Sequence, residues 1–151
     1  MKRILGVLSL VFVVAACSDS DTSMGPDEIT LADLVGSWTA SSHVYANNAN
    51  PGEAFDLIAA GGETRTTVLH NGGARTWITF GTFSDEWDAQ LSISGNTLTS
   101  DPVEASRQVR TWALSLAGNL LTLTDATSSF DFTLAGGDGV SATEVVVFAR
   151  Q

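Results

Sequence analysis

The feature that most constrains this fold is a series of short alternating segments separated by turns that contain glycine and asparagine. Apolar and polar side chains alternate with a period of two in nine segments rich in Thr, Val, Leu and aromatic residues. The segments span 35–46, 64–70, 74–83, 87–94, 97–100, 108–117, 120–124, 129–134 and 143–150. Because short turns join consecutive strands in antiparallel order, the pattern predicts an all-β meander.

The turn residues and an internal repeat indicate how the meander is arranged. Asn71-Gly72-Gly73, Gly95-Asn96 and Gly118-Asn119 join pairs of these segments and tolerate a positive φ. The stretch 91–99 recurs 23 residues later as 114–122. Similar hairpins in succession favour an eight-stranded antiparallel up-and-down barrel, which removes exposed edges by closing on itself.

A short helical turn is predicted immediately before the first strand. Thr30 can cap the free amides of the turn, and Asp33 lies three residues later, as in a capping box. Ile29 and Leu34 have the spacing of a hydrophobic staple. Gly36 limits this element to about one turn.

A second short helix is predicted after the first strand, over residues 51–60. Asn50 is a favourable cap, Pro51 suits the first helical position, and Gly61 suits the stop. Leu57 and Ile58 would then belong to an apolar stripe on this helix.

The amino-terminal leader indicates secretion. Lys2 and Arg3 precede an apolar centre over 4–14, which is too short to span a membrane, and small residues then lead to Cys17. This layout resembles a bacterial lipobox. The resemblance implies lipidation of Cys17 and tethering to a membrane without a spanning segment. The alternative is an ordinary signal peptide in which a cysteine happens to lie near the cleavage point.

The leader therefore divides the chain into three parts: a signal peptide at 1–16, the lipidated cysteine with a flexible acidic tether at 17–28, and a barrel domain at 29–151. By analogy with enteric bacteria, Ser18 after the cysteine favours the outer membrane. We expect the domain to face the periplasm.

The charge of the chain excludes some classes of partner. Without residues 1–16 it keeps five arginines, no lysine and seventeen acidic residues, a formal net charge of −12. Nucleic acid and anionic lipid both need basic patches, so neither is expected as an electrostatic partner.

The segment Leu34-Val35-Gly36-Ser37-Trp38, which opens the first strand, resembles the Gly-x-Trp signature of the lipocalins and their calycin relatives. The match is closest to small bacterial lipocalin-like lipoproteins. The resemblance implies that Trp38 closes the floor of the barrel, that Arg150 packs across it, and that a loop after strand one covers the open end. It also implies a small hydrophobic or amphipathic ligand. The Thr-Asp-Tyr turn of classical lipocalins is absent.

The candidate ligand-binding residues share a strand face or lie near the expected lid. They are Arg110, Trp112, Trp87, Gln108, Tyr45, Phe55 and Ile58. A buried arginine needs a partner, which could be a barrel carboxylate or an anionic ligand head group. The alternative is a structural or interaction lipoprotein: the aromatic residues fill a solid barrel, and its surface contacts another envelope protein.

Catalytic and metal chemistry have little support in the sequence. His43 and His70 lie on separate predicted strands and are expected at the surface, and no zinc or serine-hydrolase motif is present. We therefore predict no catalytic residue, metal or cofactor. An enzyme would need a titratable group with a perturbed pKa inside the barrel.

Overall fold

The computed structural model describes residues 28–136 and 138–151. The elements are α1 (Leu31–Leu34), β1 (Gly36–Asn47), β2 (Ala54–Asp56), β3 (Glu63–Val68), β4 (Gly73–Phe80), β5 (Phe83–Ser94), β6 (Thr97–Pro102), β7 (Arg110–Ala117), β8 (Leu120–Phe130) and β9 (Val140–Arg150). The predicted signal peptide, Cys17 and nearly all of the tether lie outside the described residues. Among those that are described, no helix is both long and apolar enough to cross a membrane.

The strands form a closed barrel, as the sequence predicted. β1 and β3 to β9 pair in order as antiparallel neighbours, and β1 also pairs with β9, which closes a ring of eight strands. The extra strand, β2, pairs only with residues 44–46 of β1. This architecture is compatible with a lipocalin-like fold. Since each strand runs opposite to the next, all loops lie at one of two ends, the floor and the mouth.

The floor is closed by α1 and two side chains that the sequence singled out. The indole of Trp38 is buried and donates from Nε1 to the carbonyl of Leu34 at 2.7 Å. The Arg150 guanidinium lies 4.2 Å from the centre of the Trp38 ring and donates to the carbonyls of Val35 and Asp33. The predicted contact between Arg150 and Trp38 is therefore present. Gly36 has a φ of +130°, which favours glycine at the junction of α1 and β1.

Two β-bulges change which residues face the interior. In β1 the register shifts between Ala40 and Ser42, so that Trp38 and Ala40 face inward before the bulge and His43 after it. In β8 the register shifts between Asp125 and Ser128. Each bulge moves the inward face from one parity of residue number to the other. The β1 bulge lies near the middle of its strand, and the β8 bulge lies in the half of its strand nearer the mouth.

The predicted helix over 51–60 is wrong. Residues 54–56 form β2, and one isolated turn follows, in which Ala60 donates to the carbonyl of Asp56 at 3.0 Å. The Asp56 carboxylate accepts the amides of Ile58 and Ala59, so it caps this turn in place of Asn50. Pairing with β1 therefore overrides the local helix signals.

Most predicted strands are present, with changed bounds. The predicted segments 120–124 and 129–134 are one strand, β8, because the bulge carries it past residues 126–127. The predicted segment 74–83 ends earlier, at a two-residue turn that pairs Phe80 with Phe83. Residues 84–86, which the sequence pattern left out, belong to β5.

Candidate functional site

The mouth of the barrel holds a cavity with a volume of about 630 Å³. Aromatic and apolar side chains from seven strands and three loops line it, among them Tyr45, Phe55, Phe80, Phe83, Trp87, Val109, Trp112, Phe130 and Leu134. Its charged lining residues are Asp85, Arg107, Arg110 and Asp125. Ligand pockets in proteins typically have volumes of about 300–1,000 Å³, so this cavity has the size of a small-molecule site.

A smaller chamber of about 110 Å³ lies below the mouth cavity. Tyr45, Trp87, Arg110 and Trp112 line both spaces, so the two are adjacent. A cavity of about 150 Å³ is known to hold one benzene molecule, and the chamber is smaller than that. The barrel interior is therefore largely filled by its own side chains.

Four aromatic rings form one wall of the mouth. Tyr45 stacks on Phe130 with ring centroids 4.3 Å apart, and Phe55 stacks on the same Phe130 ring at 5.1 Å. Phe80 meets Phe55 edge to face at 5.4 Å. These rings come from β1, β2, β4 and β8, so the extra strand β2 contributes Phe55 to the wall.

A buried carboxylate, Glu144, lies between the mouth and the chamber. Its Oε1 accepts from Nε2 of His43 at 2.8 Å and from the hydroxyl of Tyr45 at 3.1 Å. Its Oε2 accepts from Arg110 at 2.6 Å and from Ser128 at 2.8 Å. Both oxygens are thus already occupied by two donors each.

Arg110 joins Glu144 to a second buried carboxylate, Asp125. Its Nη2 donates to Asp125 at 2.5 Å and its Nε donates to the same carboxylate at 3.0 Å. The guanidinium lies 4.2 Å from the centre of the Trp112 ring. Of the two alternatives that the sequence left open, the partner of Arg110 is a barrel carboxylate, and there are two of them.

One edge of the Arg110 guanidinium remains available. The hydrogen bonds of Arg110 use only Nε and Nη2. Every buried side-chain nitrogen or oxygen of the described residues has a hydrogen-bond partner, so the unbonded Nη1 is not a buried atom. Since Arg110 lines the mouth cavity, Nη1 can donate to a bound molecule.

The carboxylates of this cluster are ionised. Burial alone raises the pKa of Glu144, but the hydrogen bond from His43 and the charge of Arg110 outweigh it and lower the pKa from 4.5 to about 2. Burial likewise opposes a lowered pKa at Asp125, where hydrogen bonds from Thr127 and Arg110 prevail. Burial, together with the Glu144 carboxylate, raises the pKa of Tyr45, so its phenol stays protonated.

A second arginine lies at the rim of the mouth. Arg107, in the loop between β6 and β7, lies 4.8 Å from the centre of the Trp87 ring. It donates to Asp85 at 2.5 Å and to Glu104 at 2.9 Å. The three charged side chains are between 32% and 49% exposed, so this arrangement is open to solvent.

The structure places six of the seven sequence-predicted ligand-binding residues at the cavities. Arg110, Trp112, Trp87 and Tyr45 line both spaces, whereas Gln108 and Phe55 line only the mouth. The seventh, Ile58, lines neither space and packs against the hydrophobic core, and Leu57 contributes to the mouth instead. The reason is that residues 57–60 form a single turn, so Leu57 and Ile58 do not share one apolar face as they would on a helix.

The surface role expected for His43 is wrong. Its side chain is only 1% exposed. Nδ1 forms a hydrogen bond with the Thr64 hydroxyl at 2.8 Å, and Nε2 forms one with Glu144. His70 is exposed. Counting in twos from Trp38 places His43 on the outer face, and only the bulge at Ser41 brings it inside.

Sequence reasoning also missed Glu144 and Asp125. A signal for Glu144 was present, because Arg150, Phe148, Val146 and Glu144 follow one another with a period of two. If Arg150 faces the floor, then Glu144 shares that inward face. Asp125 has the same relation to the buried Leu121 and Leu123.

Within the described ranges, no group of three or more His, Cys, Asp or Glu residues is arranged to hold a metal ion. Comparison of the chain with models of protein families, with curated proteins and with solved structures found no match.

Proposed function

We propose that this protein is a lipid-anchored binding protein of the bacterial cell envelope that holds one small hydrophobic or amphipathic molecule in the mouth of its barrel. The observation that carries the proposal is the cavity of about 630 Å³, walled by aromatic rings and reached by an unbonded N–H edge of Arg110. A concave apolar site with a few convergent polar groups is the usual form of a small-molecule site.

The sizes of the two spaces limit what the ligand can be. The chamber of about 110 Å³ is too small to accept a long acyl chain. The ligand would therefore occupy mainly the mouth, between the wall of Tyr45, Phe130 and Phe55 and the indoles of Trp87 and Trp112. This favours a compact or planar molecule over the fatty acid that a lipocalin-like barrel first suggests.

Binding would come mainly from the burial of apolar ligand surface, at about 25 cal/mol per Å². Arg110 would orient a ligand acceptor atom through Nη1. Glu144 is a poor candidate for a general base because its pKa is low and both of its oxygens already accept two hydrogen bonds. A role in binding without chemistry remains the prediction.

The proposed location rests on the leader. Lipidation at Cys17 would anchor the domain, and the residues up to 28 would act as the tether. Since the chain reaches α1 at the floor, the mouth would point away from the attachment point of the tether. We propose the outer membrane, with the domain facing the periplasm.

One observation favours the alternative, an interaction lipoprotein. Large apolar side chains are exposed on the loops and strand ends at this end of the barrel: Phe83, Val103, Val109, Leu134 and Val140 are between 47% and 73% exposed. An apolar rim of this kind also suits contact with another envelope protein.

Native mass spectrometry of the full chain, expressed in a bacterium and purified from membranes in mild detergent, tests the proposal. We expect the mass of a chain cleaved before Cys17 and lipidated there, together with an added mass that organic extraction removes. Trp112→Ala should lose this added mass, whereas Trp77→Ala should keep it, because Trp77 lies on the outside of the barrel, in a separate groove.

Cys17→Ser provides a further control. It should remove the lipid but keep the added mass, because the mouth does not need the anchor. A wild-type chain without added mass, which also fails to take up aromatic or lipid molecules from an envelope extract, would favour the interaction lipoprotein.

A further inference from the structure

Two arginines at this end of the barrel have similar contact partners. We call Asp85, Trp87 and Glu104, which surround the Arg107 guanidinium, the rim cage. In each case a guanidinium lies over an indole, at 4.8 Å for Arg107 and at 4.2 Å for Arg110, and bonds to two carboxylates. A tryptophan face with flanking carboxylates is a good site for an organic cation.

The two arrangements differ in burial. Around Arg110, the carboxylates of Asp125 and Glu144 are only 4% and 3% exposed. Asp85 and Glu104 of the rim cage are 33% and 49% exposed. Ion pairs this exposed contribute little stability, so Arg107 can leave the rim cage at small cost, whereas Arg110 is held in place.

The backbone position of Arg107 is consistent with movement. It lies in the loop 103–109 rather than in a strand, and its amide bonds only to Glu104 of the same loop, at 3.0 Å. Asp85 and Trp87 belong to β5, so they stay in place if the loop moves. Withdrawal of Arg107 would leave the Trp87 indole and the Asp85 carboxylate exposed to the mouth cavity, which both residues line.

The charges at the mouth disfavour an anion. Each arginine is paired with two carboxylates, so each group has a formal charge of −1. Arg110 can still donate a hydrogen bond, but it brings no surplus positive charge. An anionic head group would therefore meet net repulsion, and a cationic group would be attracted.

We propose that the rim cage is the recognition site for a cationic group, guanidinium, amidinium or ammonium, on an aromatic ligand, and that Arg107 occupies this site until the ligand displaces it. The inference rests on the proposed function, because it names the chemical class of the ligand that the mouth binds. Arg107 thus competes with the ligand for the rim cage and lowers the affinity of the site for the ligand's cationic group.

Three probes of the same shape test the proposal: 2-naphthamidine (a cation), 2-naphthamide (neutral) and 2-naphthoate (an anion). Their affinities for the full chain are measured from the shifts of the Trp87 and Trp112 indole N–H signals. We expect the amidine to bind most tightly. Arg107→Gln should raise the affinity for the amidine by about three- to tenfold, because the competitor is gone.

Two further variants make the test specific. Asp85→Asn, added to Arg107→Gln, should lower the affinity for the amidine by about two- to fivefold while leaving the amide unchanged. Arg65→Gln removes a more exposed arginine on the outer face, paired with Glu63, and should change no affinity. Urea unfolding of each variant checks that its fold is intact.

The possible results separate this inference from the function on which it rests. If the amide or naphthoate shifts the Trp112 signal but the amidine binds no more tightly, or Arg107→Gln does not increase its affinity, the mouth binds ligands and the cation site is overturned. If none of the probes binds to the wild type or to Arg107→Gln, both the cation site and the proposed function fail.

Discussion

At the scale of single residues, Arg110 allows two carboxylates to be buried side by side in the barrel. Asp125 and Glu144 are direct cross-strand partners on β8 and β9, and both face inward. Like charges directly opposite each other on a sheet repel, and burial strengthens the repulsion. The guanidinium of Arg110 bonds to both carboxylates and offsets this repulsion.

Arg110→Met should therefore destabilise the protein. Methionine fills similar space but leaves two facing carboxylates without a cation, so we expect the free energy of unfolding to fall by about 3 kcal/mol in urea titrations at pH 7. Arg65→Met, which breaks an exposed pair, should cost less than about 1 kcal/mol. Equal losses in the two variants would show that the buried cluster has no special role.

Glu144 should make the stability depend on acid pH. Its pKa is 4.5 as a free side chain and about 2 in the folded protein, so in this range the unfolded chain binds a proton that the folded chain does not. The stabilisation is therefore complete above the unfolded pKa and is lost as the pH falls towards 2, by about 3 kcal/mol.

Urea unfolding between pH 2 and pH 6 measures this loss. Glu144→Gln should flatten the acid dependence, and Glu63→Gln, which changes an exposed carboxyl group, should keep the wild-type curve. A wild-type slope in Glu144→Gln would assign the acid sensitivity to other groups, such as Asp125 or Asp56, whose pKa values are also lowered.

At the scale of elements, the bulge in β1 determines what the mouth contains. If Ser41 occupied a regular strand position and no bulge formed, the alternation that puts Trp38 and Ala40 inside would turn His43 and Tyr45 outward. The Ser41 hydroxyl, which donates to the carbonyl of Val147 at 3.1 Å, is a minor part of this effect. The extra backbone residue is the main cause of the change in which side chains face inward.

Deleting Ser41 should remove the bulge without turning His43 outward. Ser42 alone would then lie opposite Val147, so Ala40 and His43 both stay on the inward face, and we expect a loss of only about 1–3 kcal/mol from local adjustment of the strand. Ser41→Ala removes one hydrogen bond and should cost about 1 kcal/mol. Near-ultraviolet circular dichroism and urea unfolding measure both effects, and a deletion variant that does not fold would contradict this assignment of Ser41 as the inserted residue.

The elements also show how far the sequence could predict this structure. Tight turns such as Gly95-Asn96 set strand bounds well, because their backbone demands few residue types. The helix signals after β1 failed because pairing of residues 54–56 with β1 outweighed local propensity. His43 could not be placed, since a bulge has no reliable sequence signal, whereas Glu144 could have been found by counting in twos back from Arg150.

At the scale of the whole molecule, the two ends of the barrel are built differently. The floor is sealed by α1, Trp38 and Arg150, whereas the mouth holds an open cavity between loops. A ligand can therefore approach from one end only. Its depth of penetration is set by the Arg110 cluster, beneath which only the small chamber remains.

Filling the chamber tests whether binding stays in the mouth. Ala89 is buried and lines the chamber but not the mouth cavity. Ala89→Ile adds three carbon atoms to this space and should raise the free energy of unfolding by about 1 kcal/mol, as cavity-filling changes commonly do. Ala113→Ile is the matched control, because Ala113 is exposed on the outer face of β7 and gains only strand propensity.

The affinity of Ala89→Ile for the naphthyl probes separates the two depths of binding. If the ligand lies in the mouth, above Arg110, the affinity should match that of the wild type while the stability rises. If a ligand tail fills the chamber, the isoleucine would compete with it, and the affinity should fall by about tenfold or more, since each buried methylene group contributes about 0.8 kcal/mol. Unchanged affinity would thus place binding in the mouth, where aromatic rings, and not a deep apolar channel, select the ligand.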